Sequence, residues 1–180
     1  MRIDHDQGDA NVNFNSIYAS STGLLIINTG EGSVNINANG SVTAGYAYAS
    51  YQTINVDGIF VRTEASAKDV KIVCKDVTSL DDAIMILNRG VGYTTIEVEG
   101  NVTSTSTVRS DDPAVGSNAA ILVSHSGTDV NLSVTGNVNS NDDAVKIWNY
   151  GSGEINISTS ALVEAVNGVG IYAEHDQTSL

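Results

Sequence analysis

IMILNRGVGYTTIEVEGNV, residues 84–102, is the stretch of sequence that decides the fold. It opens on a short apolar run and turns at Asn88-Arg89-Gly90. Ile96 and Val98 then alternate with polar residues, and the stretch ends on Gly100-Asn101-Val102. Because period-two alternation is typical of a strand that buries one face, the stretch predicts three short strands joined by turns.

The apolar run that opens this stretch recurs along the chain, which indicates an internal repeat. Most runs begin one short interval after the run before, and two intervals are clearly longer. The Gly-x-Val landmark, or its equivalent, follows each of the first five runs at a nearly constant interval, and the last is assigned to Ser160-Ala161-Leu162. This assignment puts all length variation after the landmark. The runs begin at Leu24, Ile59, Ile84, Ile121, Val145 and Ile171.

A spacing kept five times predicts an all-β, right-handed parallel β-helix of about six coils of about 25 residues. Each coil would contain three short strands, and the solenoid would be open at both ends. A β-sandwich, the main alternative, would not require the constant spacing. We predict a single domain over residues 1–180, with a partial first coil at 1–23 and loop insertions at about 46–56 and 107–118. Asn and Gly at the corners suit a left-handed backbone.

Composition excludes several classes of protein. The 8 basic and 21 acidic residues give a net charge of −13, which repels nucleic acid and anionic lipid. No stretch reaches the length of about 18 apolar residues that a membrane span needs. The single cysteine, Cys74, lies in an apolar run and is predicted to be a buried structural thiol.

The repeat resembles the passenger domain of bacterial autotransporters over roughly residues 12–175. The resemblance is carried by the strand-plus-turn segment 84–90 and by three Gly-x-Val landmarks, Gly40/Val42, Gly100/Val102 and Gly136/Val138. It implies export through an outer-membrane β-barrel and a role in adhesion, aggregation, proteolysis or host-cell signalling. The chain is then expected to be a fragment of a longer exported virulence protein, secreted or at the cell surface, whose leader and barrel lie outside it.

The two insertions are the first candidate binding elements, because loops on a rigid scaffold commonly carry function. Both leave the coil between the third strand and the next first strand. Tyrosine is well suited to recognition, since it offers a large surface with a polar tip. The alternative is that the tyrosines cover the scaffold. The candidate residues in the insertions are Tyr46, Tyr48, Tyr51, Arg109, Asp111 and Asp112.

Beside the insertions runs a row of outward positions on the first strands. Five of its six members are apolar or aromatic, which is typical of an interface or a covered surface. Phe60, Met85 and Leu122 complete the candidate partner-binding set. The expected partner is a host cell-surface protein or glycan, and the open ends also favour self-association, end to end or side by side. The row consists of Leu25, Phe60, Met85, Leu122, Lys146 and Tyr172.

The main alternative function is a carbohydrate-active enzyme, since β-helix lyases and hydrolases use clustered acids. Acid pairs occur at 81–82, 111–112 and 142–143. Asp57, Asp82 and Asp143 each lie two residues before an apolar run, but Ala119 holds this position in the coil between Asp82 and Asp143. Because the acids form no continuous cluster, the pattern favours turn capping. His125 and His175 fall two coils apart, too far to share a metal. We therefore predict no catalytic residue, metal or cofactor; a passive structural spacer is the third hypothesis.

Overall fold

The computed structural model describes residues 1–45, 56–105 and 118–176, and in these ranges the chain forms strands and no helix. The strands make three parallel sheets. The first sheet contains β1 (Arg2–His5), β4 (Leu24–Asn28), β7 (Ile59–Thr63), β10 (Ile84–Asn88), β13 (Ala119–His125), β16 (Asp143–Asn149) and β19 (Ile171–His175). The second contains β2 (Ala10–Phe14), β5 (Val34–Ala38), β8 (Val70–Cys74), β11 (Thr94–Val98), β14 (Val130–Val134) and β17 (Ile155–Thr159). The third contains β3 (Ile17–Ala19), β6 (Val42–Ala44), β9 (Val77–Ser79), β12 (Val102–Ser104), β15 (Val138–Ser140) and β18 (Val163–Ala165).

This topology confirms the right-handed parallel β-helix with three strands per coil. The first residues of the six apolar runs stand opposite one another in the register of the first sheet, from Leu24 against Ile59 to Val145 against Ile171. The structure adds one strand to those expected, because β1 pairs with β4. Each strand therefore belongs to the same sheet as the strand three elements earlier in the chain.

The core is the inside of the coil, where alternate residues of all three sheets meet. Val61, Ile86 and Val123 stand opposite one another on neighbouring strands and are completely buried. Cys74 lies in the same interior, which confirms the prediction of a buried thiol, and burial raises the pKa of this thiol to about 12. Because an alternating strand contributes one face to this interior, the other face of every sheet points outward.

The turns within a coil vary by up to two residues, which corrects two sequence assignments. The last landmark ends at Val163, which pairs with Val138, and not at Leu162. The turn after β7 has six residues and the turn after β13 has four, so length variation is not confined to the insertions. After β8 a shorter turn compensates, so that Val77 still pairs with Val42 and Val102 in the third sheet. Turns on the solvent side absorb these changes because no interior residue has to move.

A line of polar side chains runs inside the corner that follows the first sheet. Thr63 Oγ1 donates to Asn88 Oδ1 at 2.6 Å, and Asn88 Nδ2 donates to Thr94 Oγ1 at 3.0 Å. Asn88 Oδ1 also accepts the Gly90 N–H at 2.9 Å. These bonds satisfy backbone and side-chain groups that would otherwise be buried without partners.

With the exception of Gly8, whose φ is positive, the described glycines of this corner are needed for space and not for a left-handed backbone. Among the described residues, only Gly8 and Gly45 have a positive φ. At Gly151, an added Cβ would lie 1.8 Å from the carbonyl oxygen of Gly127 in the preceding coil. The expectation of left-handed corners was therefore wrong at this turn, where the close approach of stacked backbones selects glycine.

Asn88→Ala is expected to lower the free energy of unfolding by about 2 kcal/mol, because it removes three hydrogen bonds and leaves buried polar groups unpaired. Urea unfolding followed by circular dichroism measures this change. The control is Asn35→Ala, which removes an exposed bond of 3.0 Å to Asn11 and should cost less than about 0.5 kcal/mol. Equal costs for the two variants would contradict a stabilising role for the interior line.

Candidate functional site

Both insertions leave the solenoid at the corner between the third and first sheets. Four residues connect Ser79 to Ile84 at this corner, whereas fourteen connect Ala44 to Ile59 and sixteen connect Ser104 to Ile121. The strands that precede the insertions, β6 and β12, are separated by β9 alone, so the insertions start two coils apart as predicted. The candidate residues that fall on them lie outside the described residues: Tyr46, Tyr48, Tyr51, Arg109, Asp111 and Asp112.

The predicted outward row exists in the first sheet, in the expected order from Leu25 to Tyr172. Its middle is not an open surface, because Met85 is 8% exposed and Leu122 is 2% exposed. These two side chains form an outer apolar cluster with Ala119. The cluster is flanked by the partly buried side chains of Phe60, Leu87 and Trp148. The middle of the row is therefore covered, while its last member, Tyr172, remains 37% exposed.

Carboxylates line the corner between the third and first sheets. Asp82 Oδ1 accepts the N–H of Ala119 at 2.6 Å, and Asp143 Oδ1 accepts the N–H of Val169 at 2.7 Å. Each bond joins one coil to the next, which confirms turn capping by these two residues. Asp143 also forms an ion pair of 2.8 Å with Lys146 Nζ.

Three of these corner acids have strongly perturbed ionisation. Asp57 is 1% exposed, and its Oδ1 has no hydrogen-bond partner among the described residues. Burial raises the pKa of Asp57 to about 7, and the charge of Asp81 adds to the effect. Burial also raises the pKa of Asp81 to about 6 and the pKa of Asp82 well above its usual range. A carboxyl whose pKa is raised toward neutrality can act as a general acid, but Asp57 and Asp82 are buried.

The histidines are placed as predicted, four residues after the first residue of their runs. His125 stands opposite Asn149, and Asn149 stands opposite His175, so the two rings are two coils apart. His125 is fully buried, its Nδ1 lies 3.1 Å from Thr94 Oγ1, and burial lowers its pKa to about 4. Across the described ranges, no group of three or more His, Cys, Asp or Glu side chains is arranged to hold a metal ion.

An aromatic and acidic cluster lies on the outward face of the first sheet, on its last two strands, β16 and β19. The ring centroids of Trp148 and Tyr172 are 6.0 Å apart with an interplanar angle of 58°. The Tyr172 hydroxyl donates to Glu174 Oε2, and Lys146 Nζ lies 5.3 Å from the Trp148 centroid. Sequence reasoning considered Lys146 and Tyr172 but missed the other two. The available signal was that Trp148 and Glu174 are the next outward positions on the same two strands.

The outward face of the second sheet is polar and was also missed, because only the first strands were searched for outward residues. Asn35 and Asn156 each donate to an Asn of the preceding coil, at 3.0 and 3.2 Å. Lys71 and Glu97 form an ion pair of 3.2 Å between these two contacts. A shallow groove of about 480 Å³ lies on this face. It is lined by residues of β11, β14 and β17.

Compared with protein-family models, curated proteins and solved structures, the chain gives no match. The described residues include no helix that has the length and apolar character needed to cross a membrane. Function must therefore be inferred from the coil, its corner and its outward faces.

Proposed function

We propose that the chain is a non-enzymatic binding module of autotransporter-passenger type, secreted or exposed at a bacterial surface, that engages a host cell-surface protein or glycan. The observation that supports this proposal is the placement of both insertions at one corner of a stacked solenoid. The outer apolar cluster of Met85, Ala119 and Leu122 lies on β10 and β13, and β13 is the first strand after the second insertion. Variable segments on a regular scaffold are a common arrangement for recognition.

The scaffold is suited to holding such segments in place. Adjacent coils are joined by backbone ladders in all three sheets and by the capping bonds of Asp82 and Asp143. The insertions start and end on strands of this ladder, so a partner that contacts both meets two anchored loops. Anchoring lowers the entropy lost on binding and so favours affinity.

The enzyme hypothesis depends on acids that a substrate can reach. Asp82 and Asp143 are buried and accept backbone N–H groups, which is the chemistry of a cap. The acids that the enzyme hypothesis names in the second insertion, Asp111 and Asp112, lie outside the described residues. An activity assay on acidic polysaccharides with calcium separates the hypotheses, because the binding module should give no turnover.

Excision of residues 46–55 is expected to abolish most host-cell binding while the coil stays intact. The excision leaves four residues between Ala44 and Ile59, the number that connects Ser79 to Ile84 without strain on the register. We expect an unchanged far-ultraviolet circular dichroism spectrum and at least a tenfold loss of binding, measured by flow cytometry with labelled protein.

The control keeps the length and changes the chemistry: residues 46–55 are replaced by ten Gly and Ser residues. This variant should lose binding to the same degree, since the proposal assigns recognition to side chains. Full binding by the excised protein, with an intact spectrum, would contradict the assignment of recognition to this insertion, and no binding by the parent protein would favour a passive spacer.

A further inference from the structure

The outward face of the second sheet has a composition that is atypical of strands. Nine of its twelve outward positions are Asn, Ser or Thr, and six of these nine are Asn. Because asparagine is depleted in β-strands, the face departs from local preference, and such departures are expected where a function requires them. The twelve positions are Asn11, Asn13, Asn35, Asn37, Lys71, Val73, Thr95, Glu97, Asn131, Ser133, Asn156 and Ser158.

Contacts between coils account for only part of this asparagine content. Asn35 donates to Asn11 at 3.0 Å, and Asn156 donates to Asn131 at 3.2 Å. The side chains of the other two asparagines of the face form no hydrogen bond within the described ranges. Stabilisation of the stack by amide ladders therefore explains four of the six.

The amide ladder that reaches Asn131 stops there and leaves a donor free. Asn156 donates to Oδ1 of Asn131, which stands opposite it in the preceding coil. Thr95 stands opposite Asn131 one coil further back, and Asn131 Nδ2 donates to no described residue. The hydroxyls of Thr95 and Ser133 also form no hydrogen bond with the described part of the chain. Three polar groups on two neighbouring strands are thus available to a ligand.

These three residues line the shallow groove of about 480 Å³ on this face. This volume lies within the range of about 300–1,000 Å³ that is usual for small-ligand sites. Both β11 and β14 are paired along both edges, so the outward exposure of their side chains does not depend on where the stack stops. The second sheet takes no part in the corner at which the insertions leave.

We propose that this groove is a second contact site of the module, at which Thr95, Asn131 and Ser133 bind an uncharged host-cell glycan that carries acetamido groups. The inference rests on the proposed function, because it names the chemical class of a partner that the same module would engage. It differs from the insertions in consisting of described residues on regular strands.

The charges of the face favour an uncharged ligand. Among the outward strand positions of this sheet, the charged side chains are Lys71 and Glu97, and they neutralise each other at 3.2 Å. The net charge of −13 on the whole chain repels anionic glycans. Hydrogen bonds therefore have to supply recognition, and a glycan offers hydroxyl groups that both donate and accept.

An acetamido group matches the place where the amide ladder stops. Like the side chain of asparagine, it contains a planar carbonyl acceptor and an N–H donor. Its carbonyl can accept from Asn131 Nδ2 as Asn131 accepts from Asn156, and ring hydroxyls can pair with Thr95 and Ser133. A sugar with a hydroxyl in place of the acetamido group lacks this carbonyl and is expected to bind more weakly.

The test is a titration of the intact chain with chitohexaose, the hexamer of N-acetylglucosamine, followed by two-dimensional NMR of the backbone amides. We expect saturable shifts centred on β11 and β14. Cellohexaose has hydroxyls in place of the acetamido groups, and a hyaluronan hexasaccharide carries a carboxylate on every second sugar. Each of these two sugars should bind more weakly than chitohexaose by about fivefold or more.

Matched variants separate a specific site from general contact with a polar surface. Asn131→Ala and Thr95→Val each remove one polar group from the groove and should weaken chitohexaose binding by about fivefold. Asn139→Ala and Thr103→Val make the same changes at outward positions of the third sheet and should alter the affinity by less than about twofold. Circular dichroism checks that all four variants retain the fold.

The inference is overturned if chitohexaose at about 10 mM shifts no amide of β11 or β14, if either comparison sugar binds as tightly, or if groove and control variants weaken binding equally. Each of these results leaves the proposed function standing when the parent protein still binds host cells. Conversely, chitohexaose binding that depends on Asn131, in a protein that binds no host cell, would support the groove and contradict the proposed function.

Discussion

Ile86→Ala is expected to lower the free energy of unfolding by about 4 kcal/mol. Ile86 is fully buried in the centre of β10, and it stands between Val61 and Val123 of the adjacent coils. Removing its outer atoms leaves a cavity that stacked β-strands cannot easily close, and such substitutions cost about 2–5 kcal/mol. Urea unfolding followed by circular dichroism measures the change.

The matched control is Ile27→Ala, which removes the same atoms from an outward and partly exposed position on β4. Its cost should stay below about 1 kcal/mol, because less apolar area returns to water. Native-state hydrogen exchange would locate the weakening of the Ile86 variant in the coils next to β10, since coils of a solenoid contact only their neighbours. Equal costs at Ile27 and Ile86 would contradict the inward register of β10.

Asp57→Asn is expected to raise the free energy of unfolding above that of the parent protein at pH 8. The difference between the two proteins should be smaller by about 3 kcal/mol at pH 5. The expectation follows from the rise in the pKa of Asp57 from 3.8 to about 7. Asparagine keeps an oxygen that can accept the backbone N–H of Asp82, which now bonds the Asp57 carboxylate. The substitution therefore removes the buried charge and retains the cap.

The direction in which the stability of the parent protein changes with pH follows from proton binding to Asp57. Between pH 3.8 and 7, the folded protein holds a proton on Asp57 that the unfolded chain has released. The parent therefore loses stability as the pH rises through this window, and the loss is complete above about pH 7. Burial lowers the pKa of His125 to about 4, so this residue destabilises the folded state increasingly as the pH falls below 6.5. The comparison cancels this effect because both proteins contain His125.

Urea unfolding of both proteins at pH 8 and pH 5 gives the four free energies that the prediction needs. The control is Asp129→Asn, which removes an exposed carboxylate that also accepts a backbone N–H, from Glu154 at 2.9 Å. Its effect should stay within about 0.5 kcal/mol at both pH values, because water solvates an exposed charge. An advantage of Asp57→Asn that is the same at both pH values would show that the carboxyl is ionised in the fold.

The coil could be predicted from the sequence because its register is encoded by apolar residues at a constant spacing. Leu24, Ile59 and Ile84 were aligned by their runs, and these residues stand opposite one another in the first sheet. Capping by Asp82 followed from its fixed place two residues before a strand. Such features depend on local sequence and on a repeat, and both are visible without a structure.

The details of the site depend on contacts between coils, which the sequence does not display. The apolar row left both an open interface and a covered surface as alternatives, and alternation alone could not predict that Met85 and Leu122 are buried. The aromatic cluster was missed because Trp148 and Glu174 belong to successive coils and meet only through the register of β16 and β19. The glycine requirement at 151 likewise comes from the backbone of another coil.

The corner between the third and first sheets also has an evolutionary consequence. The connection at this corner has four residues after Ser79 and sixteen after Ser104. Segments can therefore be gained or lost there while the strands on either side keep their partners. Lengthening such a connection adds little free energy, since the entropy of closure grows only with the logarithm of length. New recognition segments can therefore be acquired at this joint by insertion alone, and a lineage under pressure to change its partner could do so without altering its interior.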